Sequence, residues 1–172
     1  PGHAAFEKMR SRGAVAADIV ILVVAANDSV KPQTVEAIKH IKKANRPIIV
    51  AITKTDLPDV NIDKVKGELQ KHEVVVEGYG GDVPVVEVAA TKGVGIKELL
   101  EVINLVWELN PIESEPSAPL EAVVVESFLD KNRGPIVTVI VQKGTLSQGQ
   151  KILVDNETIP VRALIDDLGK QI

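Results

Sequence analysis

One run of branched apolar residues constrains the fold of this chain more than any other feature. Residues 48–52 read Ile-Ile-Val-Ala-Ile with no polar interruption, which is typical of a β-strand buried on both faces in a parallel sheet. The run ends abruptly in Thr53, Lys54, Thr55 and Asp56. Since ligands bind beyond the carboxyl ends of the strands in open α/β sheets, this polar group is a candidate for ligand recognition. The ordinary alternative is a turn between a strand and a helix that ends in a capping acid.

Two further apolar runs predict strands of the same kind, at residues 19–25 and 84–90. Helical patterns lie between and after the three runs, beginning at Pro32, Asp63 and Ile96. A shorter helix is predicted over Ala4–Gly13, with Gly13 ending it. Because strands alternate with helices, we expect an α/β fold with a doubly wound parallel sheet and right-handed crossovers.

The pattern changes at Asn110. Residues 111–119 contain three prolines and no apolar period, which predicts a linker. After the linker the period falls to two, and short strands are predicted at residues 122–128, 136–142, 151–155 and 161–165. We therefore expect a first domain over residues 1–110, a linker over 111–119 and part of a small antiparallel β-barrel over 120–172. The start at Pro1, within an already patterned region, indicates a fragment of a longer protein.

Composition narrows the functional classes. The chain has no cysteine, which excludes disulfides and thiolate metal sites. Its formal charge of −4 argues against broad electrostatic binding of nucleic acid. Only four residues are aromatic, so the core depends on Val, Ile, Leu and Ala. No apolar run approaches the length that spans a membrane, so no membrane association is expected.

If the ligand of the polar edge is a purine nucleotide, the residues of this edge can read its base. The Asp56 carboxylate can accept hydrogen bonds from both the ring N–H and the exocyclic amine of guanine, a donor pair that adenine lacks. Lys54 can lay its methylene stem along the base or the sugar. The loop that follows the third strand, residues 89–93, would offer backbone N–H groups to the guanine oxygen. Two adjacent loops would then converge on one base.

The opening segment resembles the second switch of the translational GTPases, since it reads Pro1-Gly2-His3-Ala4-Ala5-Phe6-Glu7-Lys8-Met9-Arg10-Ser11-Arg12-Gly13. Further segments of the first half narrow the resemblance to bacterial-type translation initiation factor two: Asp18-Ile19-Val20, Pro32-Gln33-Thr34, Glu36-Ala37-Ile38-Lys39-His40 and Gly80-Gly81-Asp82. The second half agrees, with Val125-Glu126-Ser127-Phe128-Leu129-Asp130-Lys131, Arg133-Gly134-Pro135 and Lys143-Gly144-Thr145-Leu146. The resemblance implies a P-loop-GTPase-like sheet, truncated at its N terminus, and then an incomplete β-barrel.

The resemblance also implies roles for individual residues. His3 matches the histidine that positions the attacking water for GTP hydrolysis, and Gly2 matches the glycine whose N–H approaches the γ-phosphate. The guanine-reading Asn-Lys-x-Asp appears here as Thr53-Lys54-Thr55-Asp56, and threonine lacks the paired donor and acceptor of an amide. The usual Ser-Ala-Lys appears as Ala89-Ala90-Thr91, with a lysine one place later at Lys92. Because Asp56, the residue that distinguishes guanine from adenine, is present, we expect the parent protein to keep its preference for guanine.

By resemblance, the intact parent binds GTP or GDP with magnesium, brings initiator tRNA to the small ribosomal subunit, promotes subunit joining and hydrolyses GTP. We expect a bacterial cytoplasmic protein, with the mitochondrial matrix as the alternative. The fragment contains neither the phosphate-binding Gly-rich loop nor the first switch, so we expect no hydrolysis and no bound cofactor. Exposed strand edges predict self-association. Two rivals are another translational GTPase, such as an elongation factor, and a non-catalytic ribosome-interaction module.

Overall fold

The computed structural model describes residues 13–113, 115–154, 156–166 and 168–172. The chain divides into two compact units, the first ending at Ile112 and the second covering Glu113–Ile172. This division falls inside the segment predicted to be a linker.

The first unit is built on a parallel sheet of three described strands, in the order β1-β2-β3. They cover Val20–Ala25 (β1), Ile48–Thr53 (β2) and Val85–Val88 (β3). The central strand is buried on both faces, because each residue of its 49–52 stretch is 2% exposed or less. The uninterrupted apolar run therefore predicted its burial correctly.

Two helices cover one face of this sheet: α1 over Pro32–Ala44 and α2 over Ile62–Lys71. Ile38 and Ile41 of α1 and Val65 and Leu69 of α2 are buried in the same cluster as the β2 side chains that point to this face. Proline at the first helical position begins α1 with its φ angle already suitable for a helix. Asn61 caps the N terminus of α2: its side chain accepts a hydrogen bond from the Lys64 N–H at 2.8 Å.

A third helix, α3 over Ile96–Leu109, packs against β2 and β3. Since Ile49 and Ala51 alternate with the β2 residues of the first face, the sheet has apolar side chains on both sides. The expected doubly wound arrangement is thus observed. Within α3, Val106 is buried, whereas Ile96, Leu100 and Trp107 are exposed.

The second unit contains two antiparallel strand pairs. Glu121–Asp130 (β4) pairs with Gly134–Lys143 (β5), and Lys151–Val154 (β6) pairs with Glu157–Pro160 (β7). Within the parts of residues 121–165 that the structure describes there is no helix. The change from a parallel sheet with helices to antiparallel strands was therefore predicted correctly.

Two predicted boundaries are wrong. The strand expected at residues 161–165 lies earlier, at β7, because Asn156 adopts a left-handed φ of 71° and lets the chain reverse directly after β6. Gly13 does not end a helix: residues 13–16 are helical, and the Ala17 N–H donates to the Gly13 carbonyl at 2.9 Å. The rest of the helix predicted over Ala4–Gly13 lies outside the described residues.

Candidate functional site

The carboxyl ends of the three parallel strands meet at one edge of the sheet. In the strand register, Ala25 of β1 lies beside Thr53 of β2, and Thr53 lies beside Val88 of β3. The loops that leave these ends therefore start next to one another. They carry most of the polar residues that the sequence marked as candidates.

The loop after β2 is tied to both neighbouring strands. The Thr53 carbonyl accepts a hydrogen bond from the Ala26 N–H at 2.8 Å, and the Thr55 N–H lies 3.4 Å from the Val88 carbonyl. Lys54 has a φ of 59°, a left-handed conformation that side-chain-bearing residues seldom adopt. Its Nζ lies 3.6 Å from Asp28 Oδ2, in the loop after β1. The backbone turn thus directs Lys54 toward the end of β1.

The loop after β3 is closed by hydrogen bonds of its own. Ala89 and Val94 exchange two backbone hydrogen bonds, at 3.0 and 3.2 Å, around a single 3₁₀ turn over Ala90–Lys92. Ala89 is buried, whereas Ala90 and Thr91 are exposed. Lys92 Nζ lies 3.5 Å from Asp56 Oδ2, so this loop and the loop after β2 are joined by an ion pair.

The loop after β1 is anchored from the side of α2. Glu68 Oε2 accepts hydrogen bonds from the Ser29 hydroxyl at 2.5 Å and from the Val30 N–H at 3.2 Å. The Ser29 hydroxyl, followed by the Val30 N–H, lowers the pKa of the Glu68 carboxyl below its ordinary value. Because this loop carries Asp28, the Glu68 carboxylate helps to fix one side of the candidate site.

We expect Glu68→Gln to destabilise the first unit at neutral pH, by an amount that shrinks as the solution becomes acidic. A carboxyl whose pKa is lowered by folding stabilises the fold above its unfolded pKa of about 4.3. That contribution disappears as the pH falls through the lower, folded pKa. The check is the urea midpoint of wild type and variant at pH 7 and at about pH 3, followed by the fluorescence of Trp107, the single tryptophan. Glu77→Gln is the control, and a constant difference at both pH values would contradict the prediction.

The structure brings together the described part of the predicted site: Thr53, Lys54, Asp56, Ala89, Ala90 and Thr91 all lie at this edge. Gly2 and His3, the predicted γ-phosphate and water-positioning residues, lie outside the described residues. The side chains of Asp28 and Lys92, which pair with Lys54 and Asp56, are not among the site residues predicted from sequence. The signal available for both was their position directly after the ends of β1 and β3.

Other kinds of site find less support in the part of the chain that the structure describes. It contains no group of three or more His, Asp or Glu side chains able to hold a metal ion. Among the same residues, no helix combines the length and apolarity needed to cross a membrane. A cavity of about 240 Å³ lies near the start of β2, lined mainly by apolar residues with the Lys42–Glu73 ion pair at its side. It is at the edge opposite to the one where α/β sheets bind ligands.

Comparison with known proteins gives two family models. The model described as the elongation factor Tu GTP binding domain matches residues 1–108, and that of elongation factor G domain 2 matches residues 119–172. Curated relatives named translation initiation factor IF-2 match the whole chain. The relative from Desulforamulus reducens is 55% identical and that from Erythrobacter litoralis is 52% identical. The chain covers 18% and 21% of their lengths, so it spans about a fifth of these relatives.

Solved structures agree with the fold. Translation elongation factor SelB from Methanococcus maripaludis, in complex with the GTP analogue GppNHp, matches all of this chain over 38% of its own length, with a TM-score of 0.75 and 24% identity. GDP-bound aIF5B from Aeropyrum pernix matches 94% of this chain over 33% of its own length, with a TM-score of 0.74 and 25% identity. Both matches extend over 94% or more of this chain and support its fold.

Proposed function

The chain belongs to the family of the elongation factor Tu GTP-binding domain, and on that basis we propose that its strand edge reads the base of a guanine nucleotide. The observation that supports this most is the position of the Asp56 carboxylate. It lies at the carboxyl edge of the sheet in the loop that follows β2, with its side chain 20% exposed and paired with Lys92 of the loop that follows β3. A carboxylate in that place can accept from the two N–H donors of guanine and leaves them unmatched in adenine.

The neighbouring residues complete the base site in this proposal. The N–H groups of Lys92 and Gly93 are used within the 3₁₀ turn, by the carbonyls of Ala89 and Ala90. The first N–H groups of a helical turn have no partner inside it, so those of Ala90 and Thr91 can face the guanine oxygen. The Lys54 stem covers the base or sugar while Asp28 holds its ammonium group at 3.6 Å. Thr53 supplies backbone contacts and ends β2.

The phosphates and the metal need other groups. The 172 residues contain no Gly-x-x-x-x-Gly-Lys-Ser/Thr motif, and the described residues contain no acidic cluster for magnesium. In the proposal, Gly2 approaches the γ-phosphate and His3 positions the attacking water. The chemistry is phosphoryl transfer to water, in which the protein acts by positioning and charge stabilisation.

For the whole protein that carries this chain we propose the function of a bacterial translation initiation factor. It would bind GTP in the cytoplasm, bring initiator tRNA to the small ribosomal subunit, promote subunit joining and then hydrolyse GTP. The identity of 52–55% along the entire chain to factors of that name supports this assignment. An elongation factor is the main rival, because the family model that matches the first unit is described as that of an elongation factor.

Retention of tRNA on ribosomes tests the proposed function. The full-length protein, small ribosomal subunits and GTP should retain initiator tRNA on a filter, and omitting GTP should abolish the gain. Elongator aminoacyl-tRNA is the matched control, because an elongation factor would favour it. Retention of elongator tRNA would support the rival. If neither tRNA is retained and GTP does not bind, the non-catalytic module is favoured.

We expect the 172-residue chain alone to bind GTP and GDP no more tightly than roughly millimolar, with no hydrolysis above buffer. Base and sugar contacts alone resemble those of a fragment-sized ligand, whereas most of the affinity in this class comes from the phosphate-binding loop and magnesium. Isothermal titration and a phosphate-release assay check this. Binding in the micromolar range would mean that the phosphate site has been misplaced.

We also propose that the 172-residue chain self-associates. On β1, which lies at one edge of the described sheet, Val23 is 61% exposed and Ile21 is also exposed. An exposed apolar strand at a sheet edge favours pairing with another chain. Light scattering should show dimers or larger species, and Val23→Lys should reduce them. A monomer at high concentration would contradict the proposal.

A further inference from the structure

We propose that Lys92 competes with the base for Asp56: in the nucleotide-free protein its ammonium group occupies the carboxylate, and guanine must displace it. This inference rests on the proposed role of Asp56 in reading guanine. It assigns to Lys92 an effect opposite to that expected of a lysine in a nucleotide site, since Lys92 would lower the affinity for the base.

The first step is the geometry of the pair. Lys92 Nζ lies 3.5 Å from Asp56 Oδ2, and the lysine side chain is 60% exposed while the aspartate is 20% exposed. The lysine backbone is fixed, because the Lys92 N–H donates to the Ala89 carbonyl at 3.0 Å and Gly93 ends the turn in a left-handed conformation. Lys92 therefore belongs to the same loop whose backbone N–H groups would face the guanine oxygen.

The second step is the conflict of charge. Guanine would approach Asp56 with two N–H donors, which carry partial positive charge, and would use both carboxylate oxygens. An ammonium group on Oδ2 has the same sign and needs the same acceptor. Although one carboxylate oxygen has two acceptor sites, the ammonium group and the guanine N–H groups repel each other at this distance. Departure of the lysine relieves that repulsion. Its exposed, flexible stem allows it to swing into solvent.

The third step concerns the other lysine of the site. Lys54 Nζ lies 3.6 Å from Asp28 Oδ2, so Asp28 keeps this second ammonium group at the end of β1. The two lysines thus have separate carboxylate partners. Displacing Lys92 frees Asp56 without disturbing the Lys54–Asp28 pair.

The size of the effect follows from the exposure of the pair. Ion pairs that water can reach are weak, so removing the Lys92 charge should raise the affinity for the base by about two- to five-fold at low salt. The gain should shrink at about 1 M salt, where the pair is largely screened. If the loss of one positive charge acted only through the overall charge of the protein, it would instead lower the affinity for a ligand that carries phosphate.

Titration of the 172-residue chain with GMP, followed by NMR, tests the inference. Lys92→Gln should bind GMP about two- to five-fold more tightly than wild type. Lys97→Gln is the matched control, because it removes the same charge from an exposed lysine whose partner is Glu101 at 3.5 Å. Combined with Asp56→Asn, which leaves no carboxylate to compete for, Lys92→Gln should produce no gain.

The outcomes separate this inference from the proposed function. If wild type prefers GMP to AMP but Lys92→Gln binds GMP equally or more weakly, the competition by Lys92 is wrong and the base site stands. If wild type shows no preference for GMP over AMP, the base site itself is wrong. A gain of equal size in Lys97→Gln would also overturn the inference.

Discussion

Replacing Asp56 with asparagine in the full-length protein is expected to weaken GTP binding by about 10- to 100-fold and to shift the preference toward xanthosine triphosphate. The amide would present one donor and one acceptor where the carboxylate presents two acceptors. The guanine amine would then meet the amide NH₂, and two hydrogen-bond donors would oppose each other. Xanthine has a carbonyl in place of that amine, so its ring N–H and carbonyl match the asparagine. Competition between the two triphosphates for one fluorescent nucleotide measures the change.

Asp59→Asn is the matched control for this prediction. It removes the same charge from an exposed residue three positions later in the same loop. We expect it to leave the ratio of GTP to xanthosine triphosphate affinity unchanged. An equal shift in both variants would mean that net charge, and not hydrogen bonding by Asp56, determines the preference.

Gly95→Ala is expected to destabilise the first unit by several kcal/mol. Gly95 has a φ of 76°, in the left-handed region that costs a side-chain-bearing residue about 1–2 kcal/mol. In addition, an added Cβ would lie only 2.0 Å from the Glu87 carbonyl oxygen, and forced overpacking of this kind costs about 1–3 kcal/mol more. Since Gly95 immediately precedes α3 and ends the loop after β3, relief of the clash would also displace Ala89–Lys92.

Gly93→Ala separates the two causes. Gly93 has a similar φ of 70°, but nothing lies within 4 Å of the position where its Cβ would be. We therefore expect the conformational cost alone in Gly93→Ala, about 1–2 kcal/mol. Urea unfolding followed by Trp107 fluorescence compares the two variants. Equal midpoints would show that the loop can move to accept the Cβ at position 95 without a loss of stability.

Much of the fold could be predicted because its apolar patterns are strong. Successive side chains of a strand point to opposite faces, so five consecutive apolar residues at 48–52 predict a strand buried on both faces. The structure shows this burial for β2. The change of period near Asn110 predicted the transition to antiparallel strands. The resemblance to bacterial-type translation initiation factor two is confirmed by relatives of that name along the whole chain.

The remainder depended on information that local sequence does not contain. Helical spacing groups the apolar residues of α3 but does not say which of them a neighbour covers: Val106 is buried, whereas Leu100 and Trp107 are exposed. The position of β7 depends on the backbone conformation of Asn156.

The side-chain pairs of the candidate site were also beyond prediction from sequence. Lys92–Asp56 and Lys54–Asp28 each join loops that are distant in sequence, and only the strand order makes them neighbours. Position directly after a strand end marked Lys54 and Asp56 as candidates for one edge, but not their partners Asp28 and Lys92. It could not say which lysine would face which carboxylate.

A crystal structure of the full-length protein with bound GDP would show where the base binds. We predict that the guanine lies at the carboxyl edge of the sheet, with its ring N–H and amine on the two oxygens of Asp56 and with Lys92 Nζ moved away from Oδ2. We also predict that the guanine oxygen lies beside the N–H groups of Ala90 and Thr91. A base bound elsewhere, with Lys92 Nζ and Asp56 Oδ2 still 3.5 Å apart, would show that Asp56 does not read guanine.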